Sequence, residues 1–200
     1  TPIVGVADNA FKNKGITSVE FPTGMMVDYD DTITNKVTKR GNFIIADSAF
    51  VGNNLTSVTL PEGVIAVLPY AFNNNKLETV KLPKTIWWLE TMSFANNRLT
   101  DVNFPTTCDF QLEMHGMVFA KNFIKSVRLP DYTEVVNKDS FFLNTGKEPI
   151  PADAKDSYKT YKVDGETHEA GVVYMYTDNA ELEGKDRIHH IEKATDSQYS

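Results

Sequence analysis

The sequence predicts a repeat solenoid, mainly β, in which parallel strands stack from coil to coil and short helical turns close each coil. Two observations carry this reading. First, one pattern, F-x-x-N-x-L-x-x-V-x-L-P, recurs along the chain. Phe50, Asn53, Leu55, Val58, Leu60 and Pro61 return as Phe72, Asn75, Leu77, Val80, Leu82 and Pro83. They return again from Phe94 (Asn97, Leu99, Val102, Phe104, Pro105) and from Phe119 (Asn122, Ile124, Val127, Leu129, Pro130). A partial copy opens at Phe11 (Ile16, Val19, Phe21, Pro22), and a decaying one starts at Phe141 with Asn144. Second, Phe50, Phe72 and Phe94 stand 22 residues apart. A unit of that size cannot bury its own apolar face and must stack on its neighbours.

Each element follows from the repeat. In Leu55-Thr56-Ser57-Val58-Thr59-Leu60 the apolar residues alternate inward and the β-branched content favours a strand, which Pro61 ends by removing a ladder donor. Successive copies are expected to stack as a parallel sheet along the solenoid. After the proline, an apolar residue recurs three positions on (Met25, Val64, Ile86, Cys108). Another stands five before each phenylalanine (Ile45, Val67, Leu89, Met114, Val136). These are the inward positions of a returning wall. The pairs Ala49-Phe50, Ala71-Phe72, Ser93-Phe94 and Ser140-Phe141 then close the coil in a tight helical turn, the ring filling the core. The asparagine column (Asn53, Asn75, Asn97, Asn122, Asn144) reads as structural: Asn tolerates turn conformations, and its amide can satisfy backbone groups at a buried corner.

The repeat region runs to residue 146, leaving residues 147–200 as an appended segment. Strand-like stretches Tyr158 to Val163 and Gly171 to Thr177, with a turn at Val163-Asp164-Gly165-Glu166, suggest a cap over the open end of the solenoid; a stalk leading to another domain is the alternative. From residue 147 onward 7 Lys/Arg stand against 12 Asp/Glu, so this segment holds −5 of the net −7. Neither half is basic, which argues against a nucleic-acid surface. No run of 18 apolar residues exists to span a membrane as a helix. The chain opens at Thr1 inside a repeat and is read as a piece of a longer protein. One cysteine excludes a disulfide framework.

Leu55 to Val64 (L-T-S-V-T-L-P-E-G-V) and Ala71 to Leu77 (A-F-N-N-N-K-L) resemble the BspA-like leucine-rich repeat family, over roughly residues 10 to 145. The resemblance implies a leucine-rich-repeat solenoid from a bacterial surface or secreted protein, with an adhesion or host-interaction role. It carries no catalytic residues and no cofactor. The departures from the pattern mark where this member differs: a long insertion between Pro22 and Phe50, three extra residues between Pro105 and Phe119, and loss of the motif after Asn144.

Function is sought in what breaks the repeat or projects from it. The outward columns of the strands are Ser18, Ser57, Thr79, Asp101 and Ser126, and beside them Glu20, Thr59, Lys81, Asn103 and Arg128. That face is polar and mixed in charge; it suits a wet, multivalent contact or simply a solvated sheet, because it lacks the aromatic anchors of tight interfaces. Trp87-Trp88 is the sharper outlier, standing where the preceding repeat carries Ile65-Ala66. Two successive indoles are hard to bury together. An exposed pair suits sugar stacking or a protein contact; packing against the insertion or a dimer contact is the competing reading. The insertion, about residues 28–43, has strand character on either side of an Asn35-Lys36 turn and reads as a hairpin standing off the solenoid. Its Asp28, Asp30 and Asp31 lack the glycine and closing glutamate of a calcium loop.

Catalytic patterns are missing. His115, His168, His189 and His190 have no metal-ligand spacing and read as surface residues; Cys108 occupies a core position; no phosphate loop, G-x-S-x-G or H-E-x-x-H occurs. With the resemblance, which implies a surface or secreted interaction protein, the expected function is non-catalytic binding of a protein or glycan, outside the cell. A structural spacer within a larger surface protein is the alternative.

Overall fold

The computed structural model describes residues 4–31, 36–130, 133–135, 139–144, 160–169, 173–177 and 190–192. In the repeat region the strands are β1 (Gly5–Val6), β2 (Met26–Asp31), β3 (Lys36–Gly41), β4 (Phe43–Ile45), β5 (Ser57–Thr59), β6 (Val64–Val67), β7 (Thr79–Lys81), β8 (Trp88–Leu89), β9 (Glu113–Met114), β10 (Ser126–Leu129) and β11 (Glu134–Val135). The tail adds β12 (Thr160–Val163), β13 (Glu166–Glu169), β14 (Val173–Thr177) and β15 (His190–Glu192). No helix occurs among the described residues.

The chain is a β-solenoid. Its returning wall is a six-stranded sheet in the order β1-β4-β6-β8-β9-β11, parallel throughout. The facing wall, where the L-x-x-V-x-L segments were expected to make the continuous sheet, is shorter. β5 and β7 pair in parallel, and one bridge from Lys81 to Asn103 reaches the next coil. There the Asp101 carboxylate accepts the Val102 N–H at 2.7 Å, and the Phe104 N–H turns back onto the Val102 carbonyl at 3.0 Å. These local bonds compete with the ladder. β10, one coil further, pairs instead with β14 of the tail.

Between the walls lies one interior. Leu55, Val58 and Leu60 are buried, as are their equivalents in the next three units. The inward positions of the returning wall behave likewise, with Met25, Ile45, Val64, Val67, Ile86, Leu89 and Met114 buried and Cys108 half-buried against the core; Val136 lies outside the described residues. The phenylalanines form a continuous stack. Ring centroids from Phe11 to Phe50, Phe72, Phe94, Phe119 and Phe141 are separated by 5.1, 5.2, 5.3, 5.4 and 5.4 Å. Truncating one of the buried rings to Ala costs about 3–5 kcal/mol.

The asparagine column forms a second ladder. Asn75 Nδ2 donates to the carbonyl of Phe72 in its own coil and of Phe50 in the coil before, while its Oδ1 accepts the Leu55 N–H. Asn97, Asn122 and Asn144 repeat this pattern, and all are buried.

The closing turns are not helical, contrary to the expectation from sequence. Each is a pair of tight turns with two left-handed residues four apart: Ser48 and Gly52, Tyr70 and Asn74, Met92 and Asn96, Met117 and Lys121. In Leu68-Pro69-Tyr70-Ala71 the Ala71 N–H donates to Leu68 at 3.2 Å with φ 60 at Tyr70, a type II geometry that Pro69 pre-sets. Positive φ interrupts any helix. It also corrects the reading of the asparagines: the left-handed residues are Asn74 and Asn96, whereas Asn75 and Asn97 serve through their amides.

The tail packs on the last coil. β14 runs parallel to β10 and antiparallel to β15, and Val173 is fully buried in the main core. β12 and β13 form a hairpin whose Asp164-Gly165 turn has positive φ at both residues, and Asp164 pairs with Arg98.

Candidate functional site

Three departures from the repeat converge on the outer surface of the returning wall. The first is the hairpin. β2 and β3 pair antiparallel from Met26↔Gly41 to Asp31↔Lys36, so Lys36 belongs to a strand and not to the turn expected at Asn35-Lys36; Asn35 lies outside the described residues. The register is set at the base, where glycine is required. At Gly63 (φ 105) an added Cβ would lie 2.7 Å from the Met25 Cβ; at Gly41 it would lie 2.6 Å from the Gly63 carbonyl oxygen. Thr85 ties this corner to the next coil, accepting the Gly63 N–H at 3.0 Å and donating to the Val64 carbonyl at 2.8 Å.

The second departure is the tryptophan pair. Ile86 and Leu89 point into the core, leaving Trp87 and Trp88 half-buried on the outside, their rings edge-to-face at 5.2 Å. Trp88 is committed to its surroundings: its Nε1 donates to Glu90 at 2.8 Å and its ring packs on His115 at 4.7 Å. His115 is thus half-buried rather than a surface histidine, 3.8 Å from Glu113. The third departure is the longer loop after Pro105, which holds Phe110 outward at 52% exposure.

Together they enclose an open groove of about 890 Å³. β3 forms one side and the Asp109–Glu113 stretch another, with Ile65, Thr85 and Trp87 also lining it. Ile65 sits at an irregularity in the β4–β6 register, between the pairs Phe43↔Val64 and Ile44↔Ala66. Charges around the groove are matched: Lys39 pairs with Asp28 at 2.9 Å, Lys84 lies 3.8 Å from Asp109, and the Arg40 guanidinium stands 5.7 Å from the Phe110 ring centre. The side chains of Asp30 and Asp31 lie outside the described residues, as do those of His168, His189 and His190. Among the described residues no three His, Cys, Asp or Glu side chains gather as metal ligands.

Cys108, beside the groove-lining Asp109, has its thiol pushed up to about 12 by burial, then by the charges of Asp109 and Glu62. It is held as the thiol, a poor nucleophile.

The sequence-derived binding residues fall on two walls. Thr59, Thr79, Lys81, Asp101 and Asn103 meet in a shallow depression of about 240 Å³ on the β5–β7 side. Arg128 lies on β10, opposite Tyr176 of β14. Of the tryptophans, Trp87 lines the groove. Sequence reasoning missed Phe110, Lys84, Asp109, Gln111 and Glu113. The signal present was the extra length between Pro105 and Phe119, which marks a loop without saying what it faces.

Six repeat copies over residues 28–147 match the model of the BspA type leucine rich repeat region. The chain belongs to that family. No curated protein and no solved structure matches it. BspA-type repeats are generally non-catalytic interaction modules and are typical of bacterial surface or secreted proteins. No helix among the described residues of this BspA-type chain is long and apolar enough to cross a membrane.

Proposed function

We propose that the chain is a non-catalytic binding module of a bacterial cell-surface or secreted protein, engaging a protein or glycan in an adhesive or host-interaction role. In this reading the repeat region to residue 146 forms the module and the remaining residues its cap. The supporting observation is the groove, where a half-buried tryptophan and an exposed phenylalanine stand among polar groups on an otherwise repetitive surface. Exposed aromatic side chains are costly to leave in water and are the usual anchors of recognition. The depression at Thr59, Thr79, Lys81, Asp101 and Asn103 offers a second, wetter contact, with Arg128 further along the same side.

A spacer role within a larger surface protein is favoured by a different observation, the unbroken phenylalanine and asparagine ladders that stiffen the coils. Screening the purified chain against matrix proteins and a glycan array separates the two. Binding that Trp87→Ala or Phe110→Ala abolishes, with the thermal midpoint retained, supports the module. Absence of any ligand on both screens supports the spacer.

A further inference from the structure

Granting that the chain is a binding module, we infer that the groove beside Trp87 and Phe110 is a site for a neutral oligosaccharide. Its volume, about 890 Å³, lies toward the upper end of the roughly 300–1,000 Å³ typical of small-ligand pockets, and it is an open trough rather than a closed cavity. A chain of sugar rings fits such a space better than a single compact molecule.

The chemistry of the lining selects the ligand class. Trp87 and Phe110 supply the flat apolar surface on which the C–H face of a pyranose ring stacks. The charged groups arrive already compensated: Lys84 with Asp109, Lys39 with Asp28, and Arg40 over the Phe110 ring. An anionic ligand would meet the carboxylates of Asp109 and Glu113, and a cationic one would meet Lys39, Arg40 and Lys84. A hydroxyl both donates and accepts, so a row of sugar hydroxyls can bridge an ammonium and a neighbouring carboxylate together. Gln111, an amide with both functions, adds to that set. A matched array of donors and acceptors around an aromatic platform suits a polyhydroxylated, uncharged ligand.

The test uses the whole chain and defined probes: neutral tetrasaccharides (cellotetraose, maltotetraose, xylotetraose, chitotetraose), the acidic tetragalacturonate, and a broad glycan array. Tryptophan fluorescence and calorimetry follow binding. The expected result is saturable binding of a neutral oligosaccharide, with an affinity that changes less than about twofold between roughly 50 and 500 mM salt. Phe110→Ala and Trp87→Phe weaken it about tenfold or more, and Lys76→Ala, at an exposed residue outside the groove, leaves it unchanged. Trp87→Phe keeps an aromatic ring on the wall, and circular dichroism verifies that each variant is folded. Failure of every neutral glycan to bind overturns the inference, as does preference for tetragalacturonate with a steep salt dependence. If a protein ligand binds instead through the groove, the neutral-glycan inference falls while the binding module stands. If neutral glycans bind but neither variant weakens them, the module stands and the groove is the wrong place. If neither glycans nor matrix proteins bind, both readings fall.

Discussion

Asn97 donates its side-chain amide to the main-chain carbonyl of Phe72, 25 residues earlier, at 3.0 Å. The same amide donates to Phe94 and Ala95, and its oxygen accepts the Leu77 N–H at 3.0 Å. One buried side chain thus satisfies backbone groups in two successive coils. Removing it strands several of them, at about 1–3 kcal/mol each. Asn97→Ala is expected to lower stability by about 3–5 kcal/mol in urea unfolding. Asn97→Asp keeps the shape and loses both donors, facing carboxylate oxygens toward carbonyls; it should be no less damaging. An Asp variant as stable as the parent would show that turn shape, not the amide, is what the column provides.

The left-handed positions predict a gain. The column Asn13, Gly52, Asn74, Asn96, Lys121 and Leu143 shares positive φ, and at Lys121 (φ 54) the side chain is a poor choice for it. Left-handed backbone costs an ordinary L-residue about 1–2 kcal/mol, partly offset by the chain entropy glycine loses on folding, about 0.5–1 kcal/mol. Lys121→Gly should therefore raise the thermal midpoint slightly, and Lys121→Val, β-branched, should lower it. Calorimetry of the pair checks the sign; the reverse order would mean that another interaction of Lys121 outweighs its backbone.

Gly63 and Gly24 form an internal comparison. Both have positive φ, 105 and 78, but an added Cβ at Gly24 meets nothing while one at Gly63 runs into Met25. Gly24→Ala should cost the backbone penalty of about 1–2 kcal/mol. Gly63→Ala should cost about 1–3 kcal/mol more, because the hairpin base must move. That movement shifts β3, so groove ligands should weaken as well. Equal costs for the two variants in denaturant titrations would show that the hairpin base is not pressed on the wall.

The Cys108 thiol, raised from 9.0 to about 12, makes two linked predictions. At pH 8 its thiolate fraction is roughly a thousandfold below that of a free cysteine, so iodoacetamide should alkylate it far more slowly in the folded chain than in urea. The stability sign follows from linkage. The unfolded thiol ionises near pH 9 while the folded one does not, so the contribution is complete below that point and is lost as pH rises towards 12. Folded-state labelling as fast as in urea would contradict the burial.

How much was legible depended on whether a feature repeats. Phe50, Asn53, Leu55 and Val58 announce their places because every coil imposes the same environment on them. The hairpin was visible in Thr38 and its neighbours, though Lys36, expected in the turn, is paired with Asp31 in the strand. The groove was scarcely visible. Trp87 stood out as an anomaly, but Phe110 and Lys84 look ordinary in their own segments, and the pairing of β10 with β14 joins residues some 48 positions apart (Ser126↔Tyr174).

Periodic side-chain chemistry determined the coil, its aromatic stack and its amide ladder, because a translated unit must satisfy identical demands at every step. Which wall carries the long sheet, and what the insertions enclose, were settled by packing between segments distant in the chain. Those contacts have no period, so no local pattern could encode them: Gly63 against Met25, and the loop of Phe110 across from β3, exist only once the coils are stacked.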